Sequence, residues 1–249
     1  MNVEQGSGKK PPFVLVHGAF HGGWCWGPVA RILRSEGHAV FTPTQTGLGE
    51  RRHLMSSHVD METFVLDVLN VLEFEELSDV VLVGHSYGAR SISGVADRRP
   101  DLIRRLIYID GGLALNGKSR LEAMPEAARQ ARIAAAQAFD GGTSVPPPPA
   151  SHFDVHDPNQ AAWLERHLTP QPLSAERTAV ALGNPIGNGC AVTYLRCTDP
   201  AFAAVEPSAV YARAQQDWRY LELPAGHNAI VTHVDEVAQI LLREAMTAA

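Results

Sequence analysis

The 249-residue sequence predicts an α/β protein built on a mostly parallel, doubly wound sheet of about six strands. Three observations carry that expectation. Short β-branched runs alternate with stretches of helical periodicity. Polar residues able to do chemistry directly follow those runs, where open parallel sheets gather their reactive groups. A Gly84-His85-Ser86-Tyr87-Gly88 pentapeptide sits between one such run and a helical stretch.

The strand runs are Phe13–His17, Ala39–Thr42, Val80–Gly84, Leu106–Asp110, Val192–Arg196 and Arg219–Leu223. Helical patterns fall between and after them, near Pro28–Glu36, Met61–Phe74, Ser86–Arg98, Ser208–Gln215 and Val234–Glu244. The alternation breaks between Gly111 and Gly189. That segment holds an Ala-rich helical stretch (Glu126–Phe139) and the proline tract Pro146–Pro149, read as a stiff surface loop. A second helix opens at Asp157-Pro158, a cap residue followed by proline at the first helical position. A third is expected over Ser174–Leu182. Trp163, Leu164, Leu168 and Leu182 supply apolar surface for packing, so the segment reads as a helical cap rather than a linker. The expected division is a core of residues 1–110 and 190–249 with a cap of 111–189.

Composition narrows the partners. Hydrophobic residues make up 45% and charged residues 19%, the balance of a water-soluble globular domain. The net charge of −6 and the absence of long basic runs argue against nucleic acid. No apolar run reaches membrane-spanning length, and Met1–Lys10 lacks the apolar centre of a secretory signal. Cys25, Cys190 and Cys197 are odd in number and lack metal-ligand spacing, which fits a reduced cytoplasmic setting.

The pentapeptide at 84–88 carries the chemistry. A serine at the tight turn from strand to helix occupies a strained backbone conformation that exposes its hydroxyl. Glycine at 84 and 88 removes Cβ atoms that would crowd the turn. A serine hydroxyl needs a base, and His227 follows the last strand run through Pro224-Ala225-Gly226. His85 and His233 are weaker rivals. The imidazole needs an acid, and two aspartates qualify: Asp110 after the fourth run and Asp199 after the fifth. An oxyanion would be held by backbone N–H groups of Tyr87 and Ala19. The loop residues Gly18, Phe20, His21 and Trp24 are expected beside the substrate, although Trp24-Cys25-Trp26 could equally pack a helix start. The same loop lacks the spacing of a phosphate-binding loop. His152, Asp154, His156 and Asp157 read as loop decoration, so no metal and no cofactor are expected.

These residues resemble the α/β-hydrolase superfamily, and in particular the branch of plant methylesterases, hydroxynitrile lyases and small bacterial carboxylesterases. The likeness rests on Leu15–Trp26, on Gly84–Gly88 and on Gly226-His227, and runs from about Pro12 to Leu242. It implies a cofactor-free serine esterase acting on a small carboxylic ester. Hydroxynitrile lyases carry threonine where this chain has Gly18, and lysine where it has Asn228, so lyase chemistry loses its local support. Plant members place the acid at the position of Asp199, 28 residues before His227. Bacterial relatives with a Tyr-Ile-Asp sequence before Gly-Lys-Ser place it at Asp110, 24 residues after Ser86. Asp110 is preferred, with Asp199 as the alternative. Lactonase, amidase or lyase activity on the same residues, or a non-catalytic small-ligand receptor, are the competing functions.

Overall fold

The computed structural model describes residues 10–247. Most of Met1–Lys10, read above as lacking a secretory signal, therefore lies outside the described residues. The strands are β1 (Phe13–Val16), β2 (Val40–Phe41), β3 (Val80–His85), β4 (Ile103–Ile109), β5 (Ser144–Val145), β6 (Gln171–Pro172), β7 (Val192–Cys197) and β8 (Arg219–Leu223). Six of them form one parallel sheet in the order β2-β1-β3-β4-β7-β8. The α-helices are α1 (Gly27–Ser35), α2 (Met61–Phe74), α3 (Gly88–Arg98), α4 (Glu126–Asp140), α5 (Pro158–His167), α6 (Leu173–Arg177), α7 (Glu206–Arg213), α8 (Ala229–Thr232) and α9 (Val234–Met246).

Successive side chains of a strand point to opposite faces, so a strand buried on both faces reads as a continuous apolar run. Val14, Leu82, Leu106 and Tyr194 pack on one face with Phe64 and Val68 of α2 and Ile92 of α3. Phe13, Val81, Ile107 and Leu195 pack on the other with Leu33 of α1 and Leu241 of α9. The sheet is thus covered twice, as the sequence predicts. Helix starts follow local chemistry. Asp60 Oδ1 accepts the Thr63 N–H while Thr63 Oγ1 accepts the Asp60 N–H, a reciprocal cap for α2. Asp157 accepts the Asn159 and Gln160 N–H groups ahead of Pro158, opening α5 at the expected residue.

Between β4 and β7 the chain forms α4, α5, α6 and a small antiparallel pair of β5 with β6 that the sequence did not signal. The helix expected over Ser174–Leu182 is only Leu173–Arg177. Thr178 turns extended because its Oγ1 accepts the Met61 N–H at 2.9 Å, and Val180 then packs in the core. Tertiary contacts override the local helical pattern there. No helix among the described residues is long and apolar enough to cross a membrane.

The start of α3 presses against the end of β1. A Cβ on Gly88 would lie 2.6 Å from the His17 carbonyl oxygen and 2.8 Å from that of Val16. Both are backbone atoms and cannot swing away. A Cβ on Gly27, in the first turn of α1, would meet nothing within 4 Å. Gly88→Ala should cost ~1–3 kcal/mol, lowering Tm by ~2–4 °C for each kcal/mol in a chain of this size. Gly27→Ala should leave Tm unchanged or raise it slightly. Calorimetry on the two variants checks the contrast.

Candidate active site

Parallel register brings the ends of three strands level. Gly84 pairs with Tyr108 and His85 with Ile109, and Ile109 in turn pairs with Leu195. The next residues are Ser86, Asp110 and Arg196, side by side at the carboxyl edge of the sheet. Ser86 has φ +52° and Asp110 φ +41°. The turn at Ser86 is fixed by its N–H donating to Ile109 O at 3.0 Å and by Gly112 N–H donating to Ser86 O at 2.9 Å. A Cβ on Gly18 would come within 2.9 Å of the Ser86 Cβ, so a larger residue there would require the serine or the loop to shift.

His227 arrives from the loop after β8. Ser86 Oγ lies 2.9 Å from His227 Nε2, and His227 Nδ1–H donates to Asp110 Oδ2 at 2.6 Å. Asp110 is fully buried and His227 is 1% exposed, while Ser86 stays partly open. Asp199, the alternative acid, is exposed, and its backbone N–H is engaged by Ala225 O. It makes no contact with His227. His233 lies at the start of α9, paired with Thr232.

Further residues frame the histidine. Phe202 stacks on the His227 ring with centroids 4.0 Å apart. His85 Nε2–H donates to the His227 carbonyl at 2.8 Å. The His227 N–H donates to Asp154 Oδ2 at 3.3 Å, and the Asn228 N–H to Phe153 O at 3.2 Å. Arg196 Nη1 donates to Asp110 Oδ1 at 2.5 Å, and its Nη2 reaches Glu206 Oε2 and Phe202 O. Burial works against the Arg196 charge, but the Asp110 hydrogen bond and charge raise its pKa on balance. Sequence reasoning missed Arg196. The available signal was a cation inside an otherwise buried strand run.

The loop after β1 is held as firmly. Phe20 has φ +68°, its N–H donates to Gln171 Oε1 at 3.0 Å, and its carbonyl accepts the Thr169 N–H at 2.9 Å. The N–H groups of Ala19 and Tyr87 have no acceptor among the described residues and border the cavity. Gln171 and Thr169 had no sequence signal, because their role depends on a contact about 150 residues away in the chain.

A cavity of about 330 Å³ opens over Ser86 and His227. Gly18, Phe20 and His21 line it. Trp24 does not. Its indole stacks behind His21 at 5.6 Å and meets Trp163 edge-on at 5.1 Å, so it supports the wall without reaching the interior.

Three fully buried imidazoles stand around the site, each held neutral. His17 donates from Nδ1 to Gly18 O and accepts the Gln45 N–H at Nε2. His21 donates from Nδ1 to Ala19 O and accepts from Asn228 Nδ2. Burial pushes the pKa of His17 down to about 3 and of His21 down to about 4. Burial, with the neighbouring His227 second, drives His85 well below the usual histidine range. Among the described residues no group of three His, Cys, Asp or Glu side chains is placed to hold a metal ion.

Comparison with known proteins agrees with this architecture. The sequence profile of the alpha/beta hydrolase family matches residues 13–240. The carbendazim hydrolyzing esterase of Nocardioides sp. (strain SG-4G) is 38% identical over 244 residues, covering 92% of this chain and 97% of that protein. Methylesterase 2 of Arabidopsis thaliana is 34% identical over 112 residues, covering 41% of this chain and 39% of its own. In structure, an extracellular alpha/beta-hydrolase from a Paenibacillus species superposes with a TM-score of 0.78 at 23% identity, covering 94% of this chain and 98% of that one. On the sheet order and these matches, the chain belongs to the α/β-hydrolase family.

Proposed function

We propose that this protein is a cofactor-free serine hydrolase that cleaves a small carboxylic ester through an acyl-enzyme. One observation supports it most: an unbroken line of contacts from Ser86 Oγ through the His227 ring to Asp110. Ser86 Oγ attacks the ester carbonyl while His227 Nε2 takes its proton. The Ala19 and Tyr87 N–H groups, free of protein acceptors, receive the oxyanion. His227 returns the proton to the departing alkoxide. Water, activated by the same nitrogen, then releases the acid and restores Ser86. Asp110 keeps the Nδ1–H tautomer and stabilises the imidazolium. The segment between β4 and β7 acts as the cap that closes the cavity. The esterases named among its relatives fit an ester substrate, and the cavity volume limits it to a small one.

Ser86→Ala should reduce hydrolysis of 4-nitrophenyl acetate by at least ~10³-fold with Tm preserved. An organophosphorus probe should label the wild-type chain at Ser86 and leave the variant unmodified by mass spectrometry. Undiminished turnover in the variant sinks the proposal.

The two aspartates should separate sharply. Asp110→Asn should cost on the order of 10⁴ in kcat, as amide replacement does in another such relay. Asp199→Asn removes an exposed carboxylate that makes no hydrogen bond or ion pair with the imidazole and should change kcat less than about twofold. Comparable losses in both would mean the acid has been misassigned.

The neutral imidazoles set an acid limit. Unfolded histidines take up a proton below about pH 6.5, whereas His17, His21 and His85 do so only at much lower pH when folded. Between these limits the unfolded chain binds more protons, so stability rises with pH and is lost as pH falls below 6.5. Each group contributes up to ~1.4 kcal/mol per pH unit. Urea unfolding should show a clearly lower midpoint at pH 5 than at pH 7. An unchanged midpoint would contradict neutral burial.

A further inference from the structure

The cavity lining carries three cations, Arg90, Lys118 and Arg120. No aspartate or glutamate is among the described residues that line it. The nearby carboxylate is Glu176, fully buried, and both its oxygens are taken by Arg132. Arg132 in turn lies over the Phe20 ring, 5.2 Å from its centroid, behind the wall. Glu176 is thus shared: it binds Arg132 directly and lies within ion-pair distance of Arg120.

Neither of the other two has a carboxylate to itself: Arg90 has none in hydrogen-bond contact, and Arg120 shares Glu176 with Arg132. Arg90 is 5% exposed and donates only to carbonyl oxygens, Lys118 O at 2.8 Å and Leu113 O at 3.3 Å. Arg120 approaches Glu176 with its Nε, 3.5 Å from Oε1, while its terminal nitrogens have no hydrogen-bond partner among the described residues. Its side chain keeps 27% of its surface open. Burial depresses the pKa of both guanidinium groups; Glu176 works in the opposite direction on each, and a neighbouring guanidinium adds to the unfavourable side. Three guanidinium groups that share one buried carboxylate are costly to hold together. A pocket that keeps them beside the substrate space is built to receive negative charge, and a guanidinium fork matches a carboxylate in two parallel hydrogen bonds.

We propose that Arg120, backed by Arg90 and Lys118, forms a carboxylate subsite, so that the preferred substrates are esters carrying a carboxylate at the end remote from the scissile bond. This deepens the esterase reading of the same cavity and rests on it. The lining also includes the apolar side chains of Leu113, Leu115, Met124 and Val205, which suit a short hydrocarbon spacer between ester and carboxylate. No new bond chemistry is required. The subsite orients the ester over Ser86 through one charged anchor.

The test uses matched pairs. On the acyl side, mono(4-nitrophenyl) glutarate is compared with 4-nitrophenyl pentanoate. On the alcohol side, the acetate ester of 3-hydroxybenzoate is compared with that of 3-methylphenol. In wild-type enzyme the kcat/KM ratio of charged to neutral ester should exceed about tenfold in at least one pair, as a charge-assisted contact allows. Arg120→Met should lower that ratio by tenfold or more, mainly through KM, and Arg120→Lys should restore part of it. A wild-type preference for the neutral ester in both pairs overturns the proposal, as does a ratio unchanged in Arg120→Met.

A binding experiment separates this outcome from failure of the esterase reading. In Ser86→Ala protein, monomethyl glutarate should bind by calorimetry at least tenfold more tightly than methyl pentanoate, and adding Arg120→Met should abolish the difference. Equal affinities refute the subsite whatever the turnover. A clear difference without turnover in wild type retains the subsite and removes the esterase.

Discussion

Asp110 carries a carboxylate with no exposed surface, and a charge so placed is tolerable only with donors and opposite charge in contact. Three groups meet that need: His227 Nδ1–H, the Arg196 guanidinium and the Cys197 N–H. Each comes from a different position on the sheet edge, so the carboxylate ties together the ends of β4, β7 and the loop after β8. The strand order makes this possible. β4 stands between β3, which carries Ser86, and β7, which carries Arg196, and neighbouring strands lie only about 4.8 Å apart. Arg196 then extends the same tie outward. Its second nitrogen holds the Phe202 carbonyl, and the Phe202 ring lies flat against His227. The imidazole is thereby fixed at Nδ1, on one ring face and, through His85, at its own carbonyl.

The segment between β4 and β7 is tied to the chemistry at two separate points. Asp154 and Phe153 take the N–H groups of His227 and Asn228. Gln171 and Thr169 take the N–H and carbonyl of Phe20, next to Ala19. The proposed base and the proposed oxyanion loop are therefore both braced by residues from the same inserted segment. A displacement of that segment as a rigid lid would break hydrogen bonds at both places. Substrate entry must proceed by smaller movements, in side chains around the cavity mouth, or at the cost of the bracing itself.

Much of this was legible in the sequence, and what was not has a common cause. Strand runs such as Val80–Val83 announce themselves because burial on both faces demands apolar residues at every position. The serine at 86 is legible because its turn requires glycine at 84 and 88, a local constraint written locally. The acid was not decided by pattern. Asp110 and Asp199 both follow strands, and the difference between them is burial and reach, properties of the assembled sheet. Arg196, Gln171 and Asp154 touch partners between 73 and 151 residues distant, or across a strand pair, and carry no periodic signature. Trp24 misled for the same reason. An aromatic beside a glycine loop can face a cavity or stand behind its wall, and here the stack on His21 occupies its face.

Electrostatic separation completes the argument. Four imidazoles crowd this edge, and His85 and His227 have ring centroids 5.0 Å apart. Were His17, His21 or His85 to carry charge, each would oppose protonation of His227 and weaken it as a base. Burial keeps all three neutral, and their hydrogen bonds fix single tautomers for His17 and His21. Positive charge is instead confined to two places. Arg196 lies against Asp110, where it stabilises the carboxylate, and Arg90, Lys118 and Arg120 line the cavity, at the proposed carboxylate subsite. His227 alone among the four rings has both a hydroxyl and a carboxylate in contact. A proton leaving Ser86 therefore has one imidazole to go to, and the charge formed there has its counterion already in place.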